Sequence, residues 1–211
     1  MSLQTFLKDK EITRENLHRW SYSPDLELNC WVARNPLTDP HDLALMASHM
    51  KASVRNSLWK HPSLPVEALR ALAFGPWSDA RVKRRVINHE NVTPKLLREL
   101  ASEMDESVLC EVAKKRMTPS DVLHTLATHA SSEVRGYVAS NSATAPETLS
   151  NLASVIDHAS VQINVAENPN TSASILHDLA LNTKDRNVFS VLLQQSPLSE
   201  EDRVMIILML G

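Results

Sequence analysis

The sequence predicts an all-α fold, an α-solenoid (α-α superhelix) of about eight two-helix repeats of 26–28 residues each. Three observations predict it: an apolar anchor residue recurs at that spacing, leucines follow each anchor at helical spacing, and capping residues stand where each helix should begin. No stretch shows the sustained period-two alternation that is typical of β-strands. The 211-residue chain, 43% hydrophobic and 22% charged, is long enough to bury a sizeable core.

The anchor is the apolar residue that opens phrases such as Val32-Ala-Arg-Asn-Pro and Val165-Ala-Glu-Asn-Pro. Successive anchors are 26, 26, 28, 26, 26, 27 and 28 residues apart, so eight units fill the chain. The predicted anchors are Phe6, Val32, Leu58, Val86, Val112, Val138, Val165 and Leu193. This spacing is shorter than that of ankyrin, tetratricopeptide and HEAT units, which run about 33–47 residues.

Apolar residues around each anchor define two helices per repeat, because spacings of three and four residues place side chains on one helical face. In the first helix, the position four before the anchor is apolar at Leu28, Val54, Val82, Val108, Val134 and Val161. In the second, the position eleven after the anchor is apolar at Leu17, Leu43, Leu69, Leu97, Leu123, Leu149, Leu176 and Val204. The position fourteen after it is apolar at Trp20, Met46, Leu72, Leu100, Leu126, Leu152, Leu179 and Ile207.

Capping residues mark where the helices should begin and end. N-caps of the first helix are expected seven positions before the anchor, at Asp25, Asp79, Asp105 and Ser131. The second helix is expected to open with a cap residue and then proline, at Asp39-Pro40, Thr93-Pro94 and Thr118-Pro119. The turn between the helices is expected at Asn35-Pro36, His61-Pro62, Asn168-Pro169 and Ser196-Pro197.

The repeated phrase resembles the leucine-rich repeat variant family over essentially all 211 residues. The matching segments are Ser53-Val54-Arg55, Glu133-Val134-Arg135 with Val138-Ala139-Ser-Asn141, and Val165-Ala-Glu-Asn168-Pro169-Asn-Thr171 with Leu176 and Leu179-Ala180. The resemblance implies a curved, right-handed, HEAT-like α-solenoid and gives no function. The known example pairs an α-helix with a 3₁₀ helix and carries a cysteine-ligated iron–sulfur cluster. This chain has slightly longer units and only Cys30 and Cys110, so no cluster is expected.

The repeats predict one continuous domain over residues 1–211, without a linker. Residues 1–24 and 184–211 are degenerate units and are expected to be capping repeats around six central repeats at 25–183. The sequence has no apolar h-region of a secretion signal and no run near the about 20 apolar residues of a membrane span, so a cytoplasmic location is expected. With only three glycines, glycine-rich phosphate loops are not expected.

The charge pattern indicates a surface for an anionic partner. The net charge of −3 is uneven, since residues 51–116 carry +5, residues 1–50 carry −2 and residues 117–211 carry −6. Two positions after the anchor, cations recur in the first five repeats, and in the fourth repeat an arginine one turn earlier fills the gap. This basic ladder comprises Lys8, Arg34, Lys60, Arg84 and Lys114. Cations at steps of about 10 Å can follow a phosphate backbone, and the alternative is a solvated helix face.

No metal or cofactor site is expected. Cys30 and Cys110 lie two positions before their anchors and three repeats apart, a separation of about 25–30 Å that excludes a disulfide or a shared metal. His61 and His89 stand three positions after the anchor, where other repeats have Asn, which indicates a role in the turn. The position twelve after the anchor holds His18, His124 and His177, in repeats that are not adjacent.

No catalytic residues are expected, since the sequence has no G-x-S-x-G motif and no cysteine with an evident base beside it. The remote alternative is an enzyme built like the alkylpurine DNA glycosylases, in which a HEAT-like stack pairs tryptophans with a catalytic Asp. Trp20 is a predicted core residue, and Trp31, Trp59 and Trp77 fall at different points of their repeats. The tryptophans are therefore not expected to form a stacking platform in register.

A second set of cations is expected to be structural. Arg55, Lys83 and Arg135 each follow the predicted buried valine of a first helix. In repeat stacks such a residue often pairs with an acidic side chain of the neighbouring unit, and that pairing is expected here.

The C-terminal end predicts an association surface. Seven apolar residues stand in a row at 204–210, and Val204 and Ile207 are expected to pack on the seventh repeat. Met205, Ile206 and Met209 are then expected to form an exposed apolar patch, which usually marks an association site. This predicts end-to-end pairing, as a homodimer or with a partner that continues the stack. The alternative is that the helix rotates or folds back to bury these residues.

These features predict a non-catalytic binding scaffold that contacts another protein through the exposed face of its stacked helices. The alternative is a nucleic-acid-binding module that uses the basic ladder. The remote alternative is the glycosylase-like DNA-repair enzyme, by analogy of architecture alone. No membrane partner is expected.

Overall fold

The computed structural model describes residues 3–8, 10–155, 158–195 and 197–210, and for residues 4–6 the backbone alone. In this part of the chain, α-helices follow one another in pairs and no strand occurs, so the predicted all-α repeat fold is confirmed. The helices are α1 (Leu3–Lys8), α2 (Arg14–Ser21), α3 (Leu26–Val32), α4 (Pro40–Ala47), α5 (Ala52–Leu58), α6 (Val66–Phe74), α7 (Ala80–Ile87), α8 (Pro94–Leu100), α9 (Glu106–Lys114), α10 (Ser120–Leu126), α11 (Ser132–Ser140), α12 (Pro146–Ser154), α13 (Ala159–Glu167), α14 (Ala173–Asn182), α15 (Arg186–Leu192) and α16 (Glu200–Leu210). Odd-numbered helices are the first of each repeat and even-numbered helices the second.

The chain divides into two compact units, Met1–Leu96 and Leu97–Gly211, with the boundary inside α8. In the first unit, α3 packs on α5 and α4 packs on α6. In the second unit, α9, α11, α13 and α15 pack in succession, as do α12, α14 and α16. Each unit is therefore an all-α solenoid in which like helices of successive repeats stack. One continuous domain with capping repeats at 1–24 and 184–211 stays a prediction.

Both helices of each described repeat are α-helical, whereas the resemblance to leucine-rich repeat variants implied a 3₁₀ partner. The second helices have seven to eleven residues. None of the helices in the described ranges is long and apolar enough to cross a membrane.

The predicted core positions whose side chains are described in the repeats before the last are buried, apart from Val82, which is half-buried. Every anchor from Val32 to Val165 is 0% exposed, and so is Leu123 in the second helix of its repeat. Full burial of a leucine side chain contributes about 1.5–3 kcal/mol, so these positions supply much of the stability. Two predicted positions lie outside the description: the side chain of the first anchor, Phe6, and the turn residue Ser196.

The predicted register of the last repeat is wrong by one residue. Leu192 is 0% exposed, whereas the predicted anchor Leu193 is only half-buried. Asp185 caps α15, its carboxylate accepting two N–H groups of the first turn, and it stands seven positions before Leu192. Because caps lie seven positions before the anchor in the other repeats, the cap places the anchor at Leu192. Ile206, and not Ile207, then occupies the buried position of α16.

Most predicted caps are confirmed. Side chains of the predicted N-caps accept N–H groups of the first turns of α3, α7, α9 and α11, and Asp39 and Thr93 do so for α4 and α8. The prediction is wrong for Thr118, which is buried and donates its hydroxyl to the Val112 carbonyl at 2.6 Å, while α10 begins at Ser120. The same bond to the anchor carbonyl is made by Thr38, Thr144 and Thr171. A buried threonine thus satisfies a carbonyl that the end of a helix leaves without an intrahelical partner.

The predicted turn residues link neighbouring repeats. Asn168 Nδ2 donates to the carbonyls of Ala139 at 2.6 Å and Asn141 at 2.9 Å, both in the preceding repeat. Asn141 makes the equivalent pair of bonds one repeat earlier. In the first unit, His61 Nε2 lies 3.0 Å from the carbonyl oxygen of Asn35, so the turn role predicted for this histidine is confirmed.

Candidate binding groove

Two tryptophans of the first unit line one open groove, termed here the tryptophan groove. Trp59 directly follows α5, and Trp77 lies in the loop between α6 and α7. The groove has a volume of about 320 Å³, and buried Ala47 and Leu72 form part of its lining. Trp77 is 50% exposed, so a large aromatic surface faces solvent at the groove.

The tryptophan groove was not predicted, because its two rings occupy different positions of their repeats. The structure nevertheless brings Trp59 and Trp77 to the same site, whereas Trp20 is buried and contacts Trp31 edge-on at 6.3 Å between ring centroids. A signal was present in the sequence. The anchors on either side of this site are 28 residues apart, and the added length accompanies a loop that carries Trp77.

Arginine side chains lie over both rings of the tryptophan groove. Arg55 Cζ is 5.1 Å from the ring centroid of Trp77, and Arg85 Cζ is 4.4 Å from that of Trp59. Such cation–π contacts are favourable, and they place guanidinium groups beside the aromatic walls. Arg55 also donates a hydrogen bond to the carbonyl of His49, in the loop before α5.

The surface beside the tryptophan groove is positively charged at neutral pH. α7 carries Arg81, Lys83, Arg84 and Arg85 and no acidic residue. Asp79 lines the groove, but its carboxylate accepts the N–H of Val82 at 2.8 Å as the N-cap of α7. Burial lowers the pKa of His89, which Arg85 lowers further and Glu90 raises, so this imidazole is neutral near pH 7. The local positive charge therefore comes from α7 and from Arg55.

A second groove, of about 310 Å³, lies in the second unit. Arg135 lines it, three positions before its anchor, as Arg55 lines the tryptophan groove three positions before its own. Arg135 Nη1 donates to the carbonyls of His129 and Ala130, both at 2.8 Å. These bonds give Arg55 and Arg135 a structural role with backbone carbonyls as partners. The predicted pairing of this set with acidic side chains stays a prediction.

The structure places the basic ladder on exposed positions. Lys8, Arg34, Lys60 and Arg84 lie in the first unit, and all are exposed. Lys114, in the second unit, is exposed but engaged: its Nζ is 2.9 Å from Glu111 Oε1 and 4.1 Å from the ring centroid of Tyr137. The hydrogen bond to Glu111 raises the pKa of Lys114 and offsets its charge locally. Binding of an anion by the ladder stays a prediction.

The histidines twelve positions after the anchor bridge successive repeats. His18 Nδ1 lies 2.7 Å from Asp42 Oδ1, and His177 Nδ1 lies 2.6 Å from Asp202 Oδ1. His124 Nδ1 makes the equivalent contact, at 3.0 Å, with the hydroxyl of a threonine. The hydrogen bond to Asp202 raises the pKa of His177, and the bonds from Ser199 and His177 lower that of Asp202. These histidines join helices.

The two cysteines are free thiols, as predicted. Cys110 is buried, and its sulfur lies with carboxylate oxygens of Glu106 and Glu133 in one group whose atoms are all within 4.8 Å of one another. No such convergence was expected from the sequence. Burial, followed by the nearby carboxylates, raises the pKa of the Cys110 thiol to about 11. The thiol is therefore protonated at neutral pH and is a poor nucleophile.

The predicted orientation of the last helix is wrong. Ile206 was expected in the exposed patch but is 0% exposed, while Val204 and Ile207, expected to be buried, are 57% and 58% exposed. Met209 is 52% exposed and Met205 is half-buried. The one-residue shift of the last anchor explains the difference, because it rotates the buried face of α16 by one position. An apolar patch is present, made of Val204, Ile207, Leu208 and Met209.

Comparisons with known proteins give a limited result. No protein-family model matches the chain, and no curated protein matches it. Similar solved structures include an engineered protein that is 19% identical, with 92% of this chain and 93% of that chain covered and a TM-score of 0.28. A designed armadillo repeat protein is 14% identical, with 93% and 98% covered and a TM-score of 0.30. Computationally designed armadillo repeat proteins for modular peptide recognition are 16% identical, with the same coverage and TM-score.

Similarities at these identities and TM-scores carry no argument about function. The assignment of fold rests on the helix pairs of the chain itself and on the packing of like helices in successive repeats. On those grounds the chain is a helical repeat protein.

Proposed function

We propose that this protein is a non-catalytic binding module for another protein. The observation that carries the proposal is the tryptophan groove, an open site whose walls are Trp59 and Trp77 and whose cations include Arg55 and Arg81. Tryptophan and arginine are enriched among the residues that dominate protein–protein binding energy. A half-exposed tryptophan in a helical solenoid adds little to the core, and it provides a large apolar contact for a partner.

The groove lining supports a non-catalytic role. Its polar side chains are arginines, Asn56 and Asp79, and the Asp79 carboxylate is held as a helix cap. Acyl or phosphoryl transfer would need a nucleophile with a base within hydrogen-bond reach. Cys110, the buried thiol of the second unit, is kept neutral by its surroundings. We therefore assign the groove a role in binding and not in chemistry.

We infer that the repeats are of the leucine-rich repeat variant type. The inference is supported by the recurring Val-Ala-x-Asn phrase and by turn asparagines that bond to the preceding repeat, as Asn141 and Asn168 do. The α-helical second helix of this chain departs from the helix pair of the known example. The expected right-handed stack belongs to the same inference.

Affinity capture with the intact protein tests the proposed function. The bait is immobilised, and the lysate is divided into a nuclease-treated and an untreated half before mass spectrometry. We expect the same captured protein in both halves, because the contact is between proteins. Capture that disappears with nuclease would contradict the proposal and favour a nucleic-acid ligand.

A nucleic-acid-binding module is the second candidate, favoured by the exposed cations of the first unit. A variant with Glu at Lys8, Arg34, Lys60 and Lys114 should then lose retention on heparin and on DNA. A matched control carries the same charge change at exposed cations outside the ladder, at Arg14, Arg19, Lys95 and Lys184. Binding by the ladder should also fall steeply with salt, because neutralised phosphates release counterions. If the unmodified protein binds neither duplex nor single-stranded DNA at low salt, this candidate is excluded.

End-to-end pairing through the C-terminal end is retained as a proposal, with different residues. The exposed apolar side chains are now Val204, Ile207 and Leu208 with Met209, and Leu208 is 76% exposed. Light scattering over a range of concentrations should show association that Leu208→Glu abolishes. A monomer at every concentration, unchanged by Leu208→Glu, would contradict it. Ile206→Glu is unsuitable as a test, because it places a charge in the core.

A further inference from the structure

The lining of the tryptophan groove is apolar where it is buried. Ala47 and Leu72 are buried, and half-buried Ala71 lies beside them. A cavity of about 150 Å³ is enough to hold a benzene ring, so the groove's volume of about 320 Å³ admits a large apolar side chain and part of its backbone. The groove is therefore large enough for a short segment of polypeptide.

Guanidinium groups lie over both tryptophan rings. Arg55 lies over Trp77 and Arg85 over Trp59, so each ring has a guanidinium group against it. A guanidinium group has several N–H donors in a fixed plane that matches a carboxylate. An occupant whose apolar side chain contacts these rings meets cationic donors of the lining, Arg55 and Arg81.

The rim of the tryptophan groove is complementary to negative charge. Arg81 lines the groove and is exposed, and α7 presents four cations without an acidic residue. Asp79, the acidic residue of the lining, caps α7 and keeps its negative charge, which the cations of the lining and of α7 outnumber. The charges select an anionic occupant, and the apolar lining selects one that also has an apolar side chain.

An acidic peptide fits these features better than a nucleic acid does. The guanidinium groups of Arg55 and Arg81 match carboxylates in geometry and charge, and buried Ala47 and Leu72 in the lining favour an apolar side chain. We propose that the tryptophan groove binds an extended segment of a partner protein in which one large apolar side chain is flanked by carboxylates. This proposal rests on the proposed function and names the chemistry of the partner.

Short synthetic peptides test the proposal directly. The probe has a central Phe with Glu on both sides and a fluorescent label, and its control has Gln for every Glu. Binding to the full chain is measured by fluorescence anisotropy at low and at high salt. We expect the Glu peptide to bind, the Gln peptide to bind about tenfold more weakly, and high salt to weaken the Glu peptide.

Groove variants locate the binding. Trp77→Ala should weaken the Glu peptide about thirtyfold, as expected for an aromatic hot spot. Arg81→Glu should weaken it more than Arg81→Ala does, because a reversed charge repels the probe. Asn151→Ala in the second groove is the matched control and should leave binding unchanged. Thermal melts of each variant establish folding. Because Arg81 is exposed, its variants keep the test decisive if Trp77→Ala unfolds.

Three results would overturn the proposal: equal binding of the Glu and Gln peptides, full binding by Trp77→Ala, or tighter Trp77-dependent binding of a single-stranded oligonucleotide. Its failure is distinct from failure of the proposed function. If Trp77→Ala captures the same protein partner from nuclease-treated lysate as the unmodified chain, the binding module stands and the groove assignment fails. If the unmodified chain captures no protein, the proposed function fails as well.

Discussion

The two grooves of this protein occupy the same positions of the repeat, one in each unit, and differ in the side chains that line them. Arg55 and Arg135 stand three positions before their anchors, and each donates to the carbonyl of a histidine in the preceding loop. Other lining positions correspond in the same way: Ala47 to Ala127, Ala71 to Asn151, and Gly75 to Val155. The repeat frame therefore produces a groove of about 310–320 Å³ at this place.

The two grooves differ in their side chains because the repeat pattern does not fix the residue type at every lining position. The tryptophan groove has Trp59 directly after its anchor, where the second unit has buried Ala139. All four tryptophans of the chain belong to the first unit. The units also differ in charge, with 14 basic and 10 acidic residues in the first and 8 and 15 in the second. Core positions therefore build the groove, and outward positions set the side chains and the charge that it presents.

The largest loss of stability should come from substitutions in the core positions that both units share. Leu69→Ala in the first unit and Leu123→Ala in the second remove side chains that are 0% exposed, so each should lower the free energy of unfolding by about 2–5 kcal/mol. Denaturant titration and thermal melting measure the loss. Thr125→Ala, on the exposed side of the same helix as Leu123, should change stability little. Equal tolerance of Leu123→Ala and Thr125→Ala would show that the buried face is wrongly assigned.

A smaller difference should separate the turns of the two units. Asn168→Ala leaves two buried carbonyl groups without their side-chain donor, which should cost about 1–3 kcal/mol. His61→Ala removes one bond to a carbonyl, and its cost should be about 1 kcal/mol. Denaturant titration of both variants gives the comparison. A loss from His61→Ala that exceeds the loss from Asn168→Ala would contradict this account of the turns.

The thiol of the second unit should react only at high pH. Because burial and nearby carboxylates raise the pKa of Cys110 to about 11, alkylation by iodoacetamide in a Cys30→Ser background should be very slow near neutral pH and rise toward that value. Glu133→Gln removes a neighbouring negative charge, so the rise should move to lower pH. Mass spectrometry of quenched samples follows the reaction, with denatured protein as the reactive reference. Rapid labelling of the folded chain at neutral pH would refute the raised pKa.

The smallest effect should be a pH dependence that involves the second unit. The pKa of His177 is raised by Asp202, so their bond stabilises the fold fully below the unfolded-state value of 6.5 and loses strength as pH rises through the raised value. The melting temperature should therefore decline slightly as pH rises from below 6.5 through the raised pKa of His177, and His177→Gln should remove that part of the decline. His124, whose partner is a hydroxyl, provides the matched comparison through His124→Gln. An NMR titration of His177 checks the direction of the shift.

The regular part of the fold could be predicted from the sequence because the same pattern of anchors and caps recurs in each repeat. Anchors such as Val112 and caps such as Asp105 lie where the spacing requires, and the repeated pattern corrects chance deviations. The prediction for the last repeat was wrong for a local reason. Leu192 and Leu193 are adjacent apolar residues, and the apolar spacing alone does not show which of them is the anchor. The cap Asp185 does choose, seven positions before Leu192.

The candidate site could not be predicted in the same way, because it depends on loop geometry. Trp77 belongs to no core position, and its approach to Trp59 follows from the path of the loop between α6 and α7. At Gly75, where this loop begins, an added Cβ would lie 2.4 Å from the Ala71 carbonyl oxygen, so a larger residue would need a different path. The convergence of Glu106, Cys110 and Glu133 was missed for a related reason, since it joins residues of two successive repeats across their interface.

The asparagine bonds between turns give the second unit a direction. Asn168 reaches back to Ala139 and Asn141, so the later repeat covers carbonyl groups that the earlier repeat exposes. During synthesis, which delivers the chain from its N-terminus, an earlier turn remains hydrated until the next one has left the ribosome. Each repeat is then completed by its successor, and a pause in translation would hold the nascent protein with its newest turn open to water.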